Sequence, residues 1–152
     1  MDLLNLAVDT RVIRPGAQVR TVFEACVHNN VSALPYMDAQ GVITGKLSIR
    51  HIMKHAIPDH VVRMAHVLGD NIDAVNIPPV AVEGLLARPV EEFLLEPVIV
   101  SRHTRVIKAL AMMEYHNTSY LFVVDEGKYE GIVTRMSIAW RMLETSEAHK
   151  PI

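Results

Sequence analysis

Apolar residues recur along this chain in two alternating rhythms, and the rhythms repeat. Val19, Val22, Phe23 and Cys26 stand at i, i+3, i+4 and i+7, the stripe of a helix packed on one face. Val106, Ala109, Leu110 and Met113 repeat that stripe. The period then shortens in both places. Ser32-Ala33-Leu34-Pro35-Tyr36-Met37-Asp38 and Ser119-Tyr120-Leu121-Phe122-Val123-Val124-Asp125 are nearly all apolar runs closed by Asp, which predicts strands buried on both faces. Turn signals follow, Ala39-Gln40-Gly41 and Glu126-Gly127-Lys128, and then second strands, Val42–Leu47 and Tyr129–Val133. Ser48 and Thr134 come next. Each is a good helix N-cap, because its side-chain oxygen accepts from an otherwise unpaired helical N–H.

Ahead of each stripe runs an extended segment, Val12–Val19 in the first copy and Ile99–Val106 in the second. Each copy therefore reads strand, helix, strand, strand, helix. Neither copy is large enough to close a core alone, so the two should pack against each other as a mixed α/β (α+β) fold. The expected organisation is an N-terminal segment and first repeat over 1–56, a partly helical connection over 57–95, and a second repeat with a tail over 96–152. Within the connection, Pro58 and Asp59 open a helix through Val61, Met64, Ala65 and Leu68 that Gly69 stops, and 70–79 reads as loop. A short helix is expected near Pro89, carrying Val90, Phe93 and Leu94, with Leu3–Val8 as its counterpart before the first repeat. The connection itself reads equally as a lid, a dimer arm or a spacer.

Composition narrows the functional classes. Half of the 152 residues are hydrophobic, enough for a buried core, and 15 Lys+Arg against 17 Asp+Glu leave a net charge of −2. No basic block is present, and tight nucleic-acid binding needs a concentrated cationic face. The single cysteine, Cys26, excludes an intramolecular disulfide, fits a reducing compartment and reads as a buried thiol. No apolar run reaches the roughly 18 residues of a membrane span, and no segment resembles a signal peptide. A cytoplasmic protein is the expectation, with neither nucleic acid nor membrane as partner.

Several residues together resemble the CBS domain family in its two-repeat arrangement, the Bateman module. They are the Val-Ile-Arg-Pro opening at Val12–Pro15, the helix after it, the Leu34–Asp38 strand, and the junctions Gly45-x-x-Ser48 and Gly131-x-x-Thr134. Each motif alone is weak, but the whole order occurs twice. The resemblance implies two βαββα CBS repeats packed with pseudo-twofold symmetry, and two clefts that in many relatives bind AMP, ADP, ATP or S-adenosylmethionine. It further implies a homodimer that regulates a protein partner, with no enzymatic turnover and no required cofactor.

In ligand-binding relatives the last junction reads Gly-x-x-Thr/Ser-x-x-Asp. The hydroxyl and the helix N–H groups suit a phosphate, the Asp holds the ribose hydroxyls, and apolar and main-chain groups flank the base. Carried onto this chain, the candidate ligand residues are Val12, Ile13, Ser32, Ala33, Leu34, Pro35, Ser48, Arg50 and His51 in the first repeat. In the second they are Ile99, Val100, Ser119, Tyr120, Leu121, Thr134, Arg135 and Ser137. The hydroxyls at Ser48 and Thr134 are kept, but both acids are replaced, by His51 and Ser137. A charge-assisted hydrogen bond contributes roughly 1.5–3 kcal/mol against about 1 for a neutral one, so each replacement weakens a site on the order of tenfold. The alternative function is thus a dimerising interaction module whose clefts take no ligand.

Plainer readings stand beside these. Ser48 and Thr134 are also ordinary caps, Arg50 and Arg135 also suit surface ion pairs, and Tyr120 also suits a half-buried strand position. His51 and His55 share a helix face with His60 shortly beyond, but Ile52, Met53 and Lys54 between them supply neither a third ligand nor a general base, so no metal site is expected. No nucleophile elbow or phosphate loop is present. Met53, Met113 and Met142 read as adaptable packing, while Met136 and Trp140 on the final helix suit a dimer contact, with a core role equally open for Trp140.

Overall fold

The structure, a computed structural model, describes residues 2–57, 59–68, 79–146 and 148. Helix α1, Val19–Asn29, buries Val19, Val22, Ala25 and Cys26 along the expected stripe. It stops at Asn30, whose left-handed φ of 53° lets the Val31 N–H close back on the Cys26 carbonyl at 3.0 Å. The next elements are β1, Ala33–Met37, β2, Ile43–Ser48, and α2, Ile49–Lys54. In the connection lie α3, Asp59–Leu68, and α4, Pro79–Leu86. The second half runs β3, Ile99–Val100, α5, Val106–Tyr115, β4, Tyr120–Asp125, β5, Lys128–Thr134, and α6, Arg135–Thr145.

β1 and β2 form an antiparallel pair, and β3, β4 and β5 a three-stranded sheet with β3 parallel to β4. The two halves are not identical. The opening strand expected at Val12–Ile13 is reduced to one parallel bridge, Ile13 to Tyr36, because the Arg14-Pro15-Gly16 turn, with Gly16 at φ 87°, follows at once. Helix α4 falls where the pattern gives loop or no signal; its Val80-Ala81-Val82 run has no polar alternation, and only Leu85 and Leu86 pack on the core. The Pro89 helix is a 3₁₀ turn, Val90–Phe93. Pro58, Gly69 and the loop over 70–78 lie outside the described residues.

Each half has its own apolar core, and each borrows from the other end of the chain. Val90 and Phe93, which lead into the second repeat, pack with Ile13, Val19, Leu34 and Leu47 of the first. Leu3 and Leu6, which lead into the first, pack with Ala109, Met113, Leu121 and Val133 of the second. Backbone pairs fix this crossing: Val8 with Ile132 at 2.8 and 3.0 Å, and Lys46 with Leu95 at 2.9 and 3.1 Å. The two junction glycines lie under these arms. A Cβ on Gly131 (φ 141°) would sit 2.7 Å from the Val8 carbonyl oxygen, and one on Gly45 would meet the Leu94 side chain at 3.0 Å. Between the halves, Ala33 packs against Tyr120, Phe122 and Ile132.

Met113 is fully buried, whereas Met53 and Met142 are exposed, so adaptable core packing holds for one methionine of the three. Met136 and Trp140 are exposed as well, which leaves the core reading of Trp140 unsupported.

Candidate functional site

Crossed packing sets each strand–helix junction opposite a loop of the other half. The first cleft, about 430 Å³, joins Lys46, Ser48, Arg50, His51 and Lys54 of the first half to Asn117, Thr118, Ser119 and Tyr120 of the second. The second, about 770 Å³, joins Thr134, Arg135 and Met136 to Asn30, Val31 and Ser32. Ser32, Arg50 and Ser119 border both.

The loops are shaped alike. Asn117, just after the α5 cap residue His116, takes a left-handed φ of 50°, as Asn30 does where it caps α1; a short polar side chain tolerates that conformation. Each loop then anchors the junction of its own half, the Ser32 carbonyl accepting from Ile49 N–H and the Ser119 carbonyl from Arg135 N–H, both at 3.0 Å.

The junctions differ chemically. Ser48 Oγ accepts from His51 N–H at a long 3.4 Å, a weak bond, and the Ser48 side chain also hydrogen-bonds with Tyr120 of the other half. Thr134 Oγ1 accepts from Ser137 N–H at 3.0 Å. Ser137 Oγ accepts from Thr134 N–H at 3.0 Å and donates to the Thr134 carbonyl at 2.9 Å. That reciprocal capping box spends the Ser137 proton and one of its two lone pairs on its own helix turn, so the residue at the ribose-acid position keeps at most one acceptor site for a ligand. In the first cleft His51 occupies that position, its pKa lowered by desolvation, then by His55, Lys54 and Lys46.

Lys46 is half-buried, and burial lowers its pKa. Its ammonium lies 5.3 Å from the ring centroid of Tyr120, a cation–π contact across the two halves. Burial pushes the Tyr120 phenol up to about 12, so it stays protonated at neutral pH. Arg135 is held by Glu114 at 2.8 Å and by the Thr118 carbonyl at 3.4 Å. No ion pair engages Lys46, Arg50 or Lys54 among the described residues.

Of the candidate residues, Ser32, Ser48, Arg50, His51, Ser119 and Tyr120 meet in the first cleft, and Thr134 and Arg135 in the second. The remainder lie elsewhere. Ile13, Leu34, Val100 and Leu121 point into the cores, Ala33 fills the seam between the halves, and Pro35 is buried in β1. Their side chains are spent on packing. Val12 and Ile99 border neither cleft, because the pair of backbone bonds at Ile13 and the short β3 hold both against the sheets. Lys46, Lys54, Asn117 and Thr118, and in the second cleft Asn30, Val31 and Met136, were not expected. The paired asparagines two residues before Ser32 and Ser119 were the legible signal for the loops.

The histidines form no metal centre among the described residues, which hold no cluster of three or more ligating groups. His55 Nδ1 is 2.9 Å from the His51 carbonyl, and its ring stacks edge-on with His51 and Phe93. The His60 side chain lies outside the described residues.

Residues 90–144 match the family model of the CBS domain. That part of the chain is a CBS domain. No curated protein matches it, but solved structures reproduce its fold over nearly the whole length. A CBS domain-containing protein of unknown function from Bacillus anthracis superposes with a TM-score of 0.70 at 19% identity, covering 96% of this chain and 95% of that one. The CBS-domain protein CBSX2, solved in complex with AMP, gives 0.66 at 18% identity over 94% and 96%. A Methanocaldococcus jannaschii protein described as a putative archaeal homolog of g-AMPK gives 0.67 at 19%, covering 93% of this chain and 47% of that one. The α+β arrangement found here is therefore that of tandem CBS domains. No described helix is long and apolar enough to cross a membrane.

Proposed function

We propose that this CBS-domain protein is a regulatory module that binds an adenine nucleotide or related adenosyl ligand between its halves and transmits that binding to a protein partner. The observation that carries the reading is the crossed construction of the clefts. Ser48 and His51 come from one half and Asn117–Tyr120 from the other, so a ligand touching both favours one packing of the halves over another. A fold shared with the AMP-bound CBSX2 supports the ligand class. A non-catalytic role is part of the proposal. Cys26, the one thiol, is buried, and its pKa is raised to about 11 by desolvation. A homodimer and a cytoplasmic location belong to the same proposal.

The test is a thermal-shift titration with AMP, ADP, ATP and S-adenosylmethionine, on the wild type and on Ser48→Ala. A ligand at 100 times its dissociation constant stabilises the native state by about 2.7 kcal/mol, several degrees for a chain of this size. A saturable shift weakened in Ser48→Ala supports the proposal. A flat response to all four ligands overturns it and favours the second reading, an interaction module whose clefts take no ligand. The self-satisfied Ser137 capping box favours that second reading for the second cleft.

A further inference from the structure

We infer that the two clefts are unlike in ligand class, and that the first is built for the polyphosphate end of a nucleoside di- or triphosphate. This rests on the reading of that cleft as the ligand site. Lys46, Arg50, His51 and Lys54 line the first cleft and no carboxylate does. The described ion pairs are made by Arg20, Arg88, Arg102, Arg135 and Arg141, so none neutralises these bases. Three cations thus border one concavity of about 430 Å³, an arrangement that favours an anionic group. The second cleft carries only Arg50, shared with the first, and Arg135, already paired with Glu114, beside apolar Val27, Val31, Ile49 and Met136.

Charge decides among ligands. A monophosphate brings a charge of about −1.5 to −2, and each further phosphate adds acceptor oxygens for another cation. S-adenosylmethionine brings a sulfonium and an ammonium against one carboxylate, so the same lining repels it. Lys46 also ties the cleft to the seam between the halves, because the ammonium that meets the phosphate is the one stacked on Tyr120.

Isothermal titration in magnesium-free buffer with AMP, ADP, ATP, S-adenosylmethionine and inorganic tripolyphosphate tests the inference. The proteins are the wild type, Lys46→Gln and Lys54→Gln; Lys54 is exposed on α2, so its replacement leaves the fold intact. Each added phosphate should tighten binding about tenfold, the gain of one charge-assisted contact. Both variants should lose most of that gain, weakening ATP by a larger factor than AMP, and tripolyphosphate should compete with ATP. Equal affinities for AMP, ADP and ATP, or tightest binding of S-adenosylmethionine, would overturn the inference and leave the cleft reading standing. Tripolyphosphate binding that needs both lysines, with no nucleotide preferred over it, would keep the cationic site and sink the adenosine reading. Silence from all five ligands would remove both.

Discussion

Replacing Gly131 by alanine tests the crossed packing of the chain at its tightest point. At φ 141° an L-residue is strained, and its Cβ would sit 2.7 Å from the Val8 carbonyl oxygen and 3.0 Å from the Ala7 side chain. The first atom is backbone, fixed by reciprocal hydrogen bonds between Val8 and Ile132, so it has little room to yield. Gly127 provides the control. It also has a positive φ, 79°, but a Cβ there meets nothing within 4 Å, so Gly127→Ala carries backbone strain alone, of order 1 kcal/mol. Overpacking adds typically 1–3 kcal/mol, which places Gly131→Ala about 2 kcal/mol or more below the control. For a chain of this size that is a Tm difference of roughly 4–8 °C. Urea unfolding of both variants measures it directly, and a deletion of residues 2–8 closes a double-mutant cycle. Without the arm, the two glycine substitutions should cost nearly the same. If Gly131→Ala is already no worse than Gly127→Ala in the full chain, the arm does not lie over β5 and the crossing is wrong.

Two further outcomes follow from the ionisable groups. The folded His51 has a pKa below its ordinary 6.5, for reasons of desolvation and neighbouring cations, so near that pH the unfolded chain binds more protons than the native one. Stability should therefore be complete above about pH 6.5 and decline as the pH falls below it; Tm measured from pH 7.5 to 5 should fall less in His51→Gln, and an identical fall in both proteins would exclude the contribution. Cys26, buried with its pKa raised to about 11, should react with a thiol reagent at neutral pH only as fast as the protein opens. Prompt labelling of the native protein would contradict its burial.

Much of the fold is legible because local chemistry and burial agree. The stripes at Val19, Val22 and Cys26 and at Ala109 and Met113 are buried as their spacing requires, and Ser48 and Thr134 cap the helices they precede. The crossing is not legible, since a turn such as Leu3–Asn5 can pack on either repeat with the same pattern of apolar residues. Helix α4 escapes because its apolar run has no polar face to set a period. The cleft is half readable. Ser48 and His51 announce themselves through a junction motif, whereas Lys46 and Lys54 look like ordinary solvated lysines on a strand and a helix. They become a charged wall only when Asn117–Tyr120 arrives from the other half, a contact no local window contains.

The exchanged turns also dictate an order of assembly. As the chain emerges from its N-terminus, the first repeat is complete in sequence by Lys54, yet its core still lacks Val90 and Phe93. It must wait through the whole connection before it can close. Leu3 and Leu6, made ahead of both repeats, are among the last groups to find their place, because their partners Ala109, Met113, Leu121 and Val133 are synthesised long after them. Contacts of such long sequence separation slow folding, and here they also couple it. Neither repeat reaches its final core as a contiguous fragment, so the two should be gained and lost together in one transition.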